Sequence, residues 1–128
     1  MVPRDVWSML LHGFEKNKKS IAVCQEGAEG RGGEGDDVLT YEELFREILR
    51  VKSALVSMEA KDGSTIGVMM PNDCRVMQIH FAAAALNAAV LNVNTHMTVP
   101  ELEYILEDTK PCVYPSAAAR RTPSIYSV

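Results

Sequence analysis

Strands and helices that take turns along the chain predict an α/β fold, with a mostly parallel sheet laid down by strand-helix alternation. Three observations carry that expectation. Residues 65–70 form one apolar run, as a strand covered on both faces requires. Thr40 and Thr98 each stand three residues ahead of a glutamate, Glu43 and Glu101, at the head of an apolar stripe of helical period, which is the capping-box pattern. The segments in order read strand, helix, strand, helix, strand, helix, strand, and such an order favours parallel strands joined by right-handed crossovers.

Taken from the N-terminus, Val6, Met9, Leu10 and Phe14 fall at helical spacing and predict a short leading helix over 6–14. Residues 20–24 follow as a short strand centred on Ile21, Ala22 and Val23. The stretch 25–37 is a polar, glycine-rich loop. In it Gly30, Gly32 and Gly35 satisfy the letters of Gly-x-Gly-x-x-Gly. A dinucleotide fingerprint, however, needs those glycines to turn a strand directly into a helix whose N-terminus faces the pyrophosphate. Here Glu26, Glu29, Glu34, Asp36 and Asp37 surround them against Arg31 alone, and the next helix begins only at Thr40 after an extended Val38-Leu39. Negative charge repels phosphate, so the segment reads as a surface loop.

From Thr40 the helix is predicted to run to about residue 58. Leu44, Ile48, Val51, Leu55 and Met58 form one stripe, and Glu42, Arg46, Glu47, Arg50 and Lys52 stay outside it. Lys61-Asp62-Gly63 supplies a turn before the strand at 65–70, which Pro71-Asn72 ends. Asn72 or Asp73 caps a helix over 74–87. Val76, Met77, Ile79, Phe81 and the alanines 82–85 leave that helix little polar surface. Residues 89–93 read as the next strand. A helix opening at Thr98 follows, with Pro100 in its first turn, where no N–H partner is needed, and Leu102, Ile105 and Leu106 on its buried face. Lys110-Pro111 stops it, and Cys112-Val113-Tyr114 begins a last strand.

These pieces, in this order, resemble the N-terminal part of the adenylate-forming acyl-CoA synthetase and ligase superfamily. The likeness rests on Leu39-Thr40-Tyr41-Glu42-Glu43-Leu44, on Gly67-Val68-Met69-Met70-Pro71-Asn72, on Ala89-Val90-Leu91-Asn92-Val93-Asn94-Thr95, and on Val99-Pro100-Glu101-Leu102-Glu103-Tyr104-Ile105-Leu106. A glycine usual in that family before the third of these segments is replaced by Asn87-Ala88-Ala89, and alanine does not take up positive φ as cheaply as glycine does. The resemblance implies an acid-CoA ligase: a carboxylate attacks the α-phosphate of ATP, and the acyl-adenylate passes its acyl group to CoA. It implies ATP, Mg and CoA for a full-length relative and no cofactor bound by this chain. The 128 residues contain no Ser/Thr/Gly-rich phosphate loop ending in Pro-Lys-Gly, no aromatic-Thr-Glu motif and no later catalytic lysine. The expectation is therefore a fragment, inactive alone. The alternative is a noncatalytic α/β interaction or vestigial module.

The organisation that follows is a leading helix, strand and acidic glycine-rich loop over 1–37, a partial N-terminal subdomain over 38–114, and a disordered tail over 115–128, where no core-forming period is found. Composition suits one core: 47% hydrophobic and 23% charged over 128 residues, a length expected to bury about two-thirds of its unfolded surface. A net charge of -4 argues against a nucleic-acid partner, which needs a basic face to displace counterions. The expected partners are the remainder of a ligase domain or a homologous chain, with self-association through uncovered surface.

Cys24, Cys74 and Cys112 lack Cys-x-x-Cys spacing, an odd number completes no disulfide framework, and each reads as a small buried hydrophobe. His12, His80 and His96 share no ligand spacing, and no metal site is expected. Residues 1–14 hold no uninterrupted signal-peptide core, and the longest apolar stretch, 76–93, is broken by Gln78, His80, Asn87 and Asn92. The cytosol or an organelle matrix is the expected location, without a transmembrane segment. No catalytic residue is assigned. The candidate site residues are Asn92, Asn94 and Thr95, at the C-terminal end of a predicted parallel strand, the edge where such sheets bind ligands; the same residues also suit a turn.

Overall fold

The computed structural model describes residues 4–25, 37–118 and 122–127. Helix α1 spans Val6–Asn17, and strands β1 (Ile21–Gln25) and β2 (Asp37–Thr40) follow it. Helix α2 is Tyr41–Ser57, β3 is Thr65–Val68, α3 is Cys74–Ala85, β4 is Ala89–Asn92 and α4 is Val99–Thr109. Strands β5 (Val113–Ala118) and β6 (Thr122–Ser127) end the chain. The acidic glycine-rich loop lies outside the described residues except for Gln25 and Asp37.

Four strands form the main sheet in the order β4-β3-β5-β6. Strand β3 is central and pairs in parallel with β4, from Thr65↔Ala89 to Val68↔Asn92, and in parallel with β5 at Ile66↔Val113. The chain steps from β3 out to β4, then back past β3 to β5. Right-handed crossovers therefore put α3 on one face of the sheet and α4 on the other. The expected α/β alternation is thus present, with two corrections. The first strand does not join the parallel sheet. It pairs antiparallel with β2 in a separate two-stranded layer, Val23↔Leu39 and Cys24↔Val38, a pairing that takes it out of the parallel ladder. The second concerns the tail expected to be disordered: β6 runs antiparallel to β5, from Val113↔Ser127 to Ala118↔Thr122. Antiparallel pairing supplies the backbone partners there.

Helix ends follow local chemistry. The Glu43 carboxylate accepts from the Thr40 N–H at 2.9 Å and from the Thr40 hydroxyl at 3.0 Å, while Thr40 Oγ1 accepts from the Glu43 N–H at 3.3 Å. At α4, Glu101 accepts from the Thr98 N–H at 2.8 Å and from its hydroxyl at 2.7 Å. Helix α1 carries a third box absent from the sequence reading, with Asp5 Oδ1 accepting from the Ser8 N–H at 2.6 Å and Ser8 Oγ accepting from the Asp5 N–H at 3.1 Å; serine replaces the usual glutamate. Asn87, the first of the three residues that stand where a glycine was expected, sits at φ 54. Asparagine is the non-glycine residue that tolerates this region best, and its side-chain amide donates to Asp62 across the β3–β4 end of the sheet. The local geometry survives the loss of the glycine for that reason.

The core lies between α2, α3 and β3. Ile48, Ile66, Ala82 and Ala83 are fully buried, with Leu44 and Leu55 at 2% exposure. Aromatic rings fasten α1 to α2: Phe45 stacks on Phe14 at 4.6 Å and on Trp7 at 5.6 Å between centroids. The other side of the sheet is different. None of the residues of α4 is buried or joins the core cluster, so Leu102, Ile105 and Leu106, expected on a buried face, are only half-covered. Val99 and Tyr104 are 68% and 72% exposed. A helix on the far face of a three-layer fold buries its stripe only when neighbouring elements flank it, and the described residues provide none. Cys24, expected to be buried, is exposed, and Cys74 and Cys112 are half-covered.

Two consequences are measurable. Leu55→Ala should lower unfolding free energy by about 2–5 kcal/mol, whereas Leu49→Ala on the outer side of the same helix, 41% exposed, should stay within about 1 kcal/mol; urea unfolding compares them, and equal losses would contradict the placement of the core. Hydrogen bonds from the Thr40 backbone and hydroxyl hold the Glu43 carboxyl below the ordinary glutamate range. A folded pKa lowered in this way stabilises the fold above the unfolded pKa and loses that contribution as pH falls through the folded value. The stability difference between wild type and Glu43→Gln should therefore shrink between about pH 7 and about pH 3; a difference that stays constant would show that the charge is not what caps the helix.

Candidate functional site

The C-terminal edge of the parallel strands is built by the segments that leave β3 and β4. Beyond β3 the chain passes through Pro71 and Asn72 to Asp73, which caps α3: Asp73 Oδ1 accepts from the Arg75 N–H at 2.8 Å. The Arg75 guanidinium folds back on the same carboxylate, with Nε 2.9 Å from Oδ1, and holds its pKa below the ordinary aspartate range. Gln25, at the end of β1, reaches across the fold, and its Oε1 accepts from the Cys74 N–H at 2.6 Å. The adjacent Asp73 and the distant Gln25 thus satisfy the first N–H groups of α3, donors that any helix leaves without internal partners.

The three residues singled out in the sequence lie together at the end of β4 and just beyond it, but two of them are already engaged. Asn92, the last residue of the strand, has Oδ1 2.9 Å from His80 Nε2 on α3. An amide oxygen only accepts, so this contact puts a proton on Nε2 and leaves Nδ1 as the acceptor in a neutral ring. Asn94 Oδ1 accepts from the His96 N–H at 2.9 Å, a side-chain turn of the kind asparagine favours. Thr95 is exposed in that turn. Between them Val93 is buried at 6%, and its N–H donates to the Val68 carbonyl at 2.8 Å, which ties the loop to the central strand. In the sequence His80 carries no signal beyond its place in the helix predicted over 74–87. Its pairing with Asn92 is a tertiary contact 12 residues apart.

Chemically, Asn92, Asn94 and Thr95 offer two amides and a hydroxyl and no charged group. That donor set does not fit a magnesium-bound triphosphate, which needs carboxylates for the metal and positive or backbone N–H groups for the phosphates. Among the described residues no three His, Cys, Asp or Glu side chains come together as a metal-binding group, and no helix is long and apolar enough to cross a membrane. Elsewhere a cleft of about 400 Å³ opens between α1, β1 and α3, floored by Leu10 and Leu44 and edged by His12 and Tyr41. Its walls are otherwise apolar. A shallow apolar groove on α4 is lined by Met97, Pro100, Tyr104 and Ile105. Gln78 on α3 is buried at 7% exposure in a helix otherwise apolar on that side.

The parallel strands with their two crossovers, the antiparallel edge and the separate two-stranded layer have the fold of part of the N-terminal domain of adenylate-forming enzymes. The chain superposes on the N-terminal domain of FACL13 from Mycobacterium tuberculosis with a TM-score of 0.80 at 21% identity, covering 94% of this chain and 31% of that one. It belongs to the AMP-binding enzyme family, whose model matches residues 12–123. Among curated relatives, a feruloyl-CoA synthase of Amycolatopsis is 29% identical over 75 residues, 59% of this chain and 15% of its own length. A mitochondrial medium-chain acyl-CoA ligase of Macaca fascicularis is 28% identical over an alignment that takes in 90% of this chain and 21% of the relative. The chain thus spans about a fifth or less of the length of these two curated relatives.

The His80–Asn92 contact generates a test. In a double-mutant cycle, His80→Ala and Asn92→Ala should couple by about 0.5–1.5 kcal/mol in unfolding free energy, the net worth of one neutral hydrogen bond. Strict additivity would show that the pair does not hold the β4 end to α3.

Proposed function

We propose that this chain contributes the N-terminal α/β part of an ATP-dependent acyl- or aryl-CoA synthetase. In that reaction a carboxylate oxygen bonds to the α-phosphorus of ATP and pyrophosphate leaves; the CoA thiol then attacks the acyl carbon of the acyl-adenylate and AMP leaves. The observation that carries the reading is the match of the family model to residues 12–123. The names of the relatives, a feruloyl-CoA synthase and an acyl-CoA ligase, support the acid-CoA ligase class. ATP, Mg and CoA are the cofactors of the whole enzyme on this reading.

The 128-residue chain is inactive by itself in this proposal, because the strand-end residues Asn92, Asn94 and Thr95 are committed to a histidine and a turn or carry no charge. Its role is to supply the sheet and helix layer against which the rest of a ligase domain packs. The thinly covered α4, with Val99 and Tyr104 exposed, is the surface that such a remainder, or a homologous chain, covers. The same bare surface motivates a second reading, a noncatalytic interaction module that self-associates through it.

One measurement tests the inactivity and a second separates the two readings. Purified chain incubated with ATP, Mg, labelled pyrophosphate and a panel of aromatic and fatty acids should show no acid-dependent ATP–pyrophosphate exchange; exchange above background would overturn the claim of inactivity. Source transcripts read beyond the codon for Tyr114 should run into a Ser/Thr/Gly-rich phosphate loop ending in Pro-Lys-Gly. A confirmed stop after Val128 with abundant protein of this size would instead favour the interaction module.

A further inference from the structure

We draw no further inference here: the strongest candidate, the apolar cleft between α1, β1 and α3 with His12 and Tyr41 at its edge, keeps both polar side chains partly open to water, and nothing in the structure shows what occupies it.

Discussion

The close packing of helix α2 on helix α3 is the contact around which the core is assembled. Ala82 and Ala83 on α3 are fully buried, as are Ile48 on α2 and Ile66 on β3. Small side chains shorten the distance between helix axes, and the larger isoleucines fill what remains; interiors at crystal-like packing density leave little tolerance for either to change. The helix pair in turn covers the face of β3 on that side and gives α1 a platform, through Phe45 stacked between Trp7 and Phe14. Strands β1 and β2 lie against the same helix pair, and Ala22, Val23 and Leu39 pack on the core from there. Almost every described element other than α4 and β6 therefore depends on this contact.

The two faces of the main sheet are accordingly unequal. One carries α3 with α2 and α1 behind it, and Leu10, Leu44, Ile48, Leu55, Ile79 and Ala82 there are buried. The other carries α4, fastened by a well-formed cap at Thr98 and Glu101 but with its apolar residues half-covered at best. Capping sets where a helix starts and contributes about 1 kcal/mol; it does not bury a side chain. The imbalance is what a layer taken from a larger α/β domain presents, since such sheets in the interior of a domain are covered on both sides. Membership of the AMP-binding enzyme family, whose curated relatives are several times longer, accords with that asymmetry.

At the strand ends, structure and chemistry pull in the same direction. Parallel sheets present their C-terminal edges to ligands, and this edge is instead stitched together: Gln25 to the first turn of α3, Asp73 to Arg75, His80 to Asn92, Asn94 to His96. Each contact satisfies a polar group that the loop would otherwise expose or leave unpaired. The result is an ordered rim made of neutral side chains and one internal ion pair. Such a rim supports neighbouring elements but does not by itself offer the charge that phosphoryl chemistry demands.

The parts of this protein governed by near neighbours could be read from the amino-acid sequence alone. The capping boxes at Thr40 and Thr98, the stripe through Leu44, Ile48 and Leu55, the buried strand at Ile66 and the turn role of Asn94 all depend on residues within a few positions of one another. The motif order was sufficient for the family, because it records how successive elements join. What the tertiary structure decided depends on distance in sequence. The pairing of β1 with β2 outside the parallel sheet, the β5–β6 hairpin, Gln25 at the head of α3, the His80–Asn92 contact and the exposure of Cys24 each require knowing which remote segment arrives beside the residue in question. Asn87 belongs to both: its identity permits a positive φ, but only the meeting with Asp62 shows why the chain turns there. Burial is likewise a property of the assembled layers. The apolar stripe of α4 looks much like that of α2 in sequence, and the two differ in structure because α3 and β3 cover one while no described element covers the other.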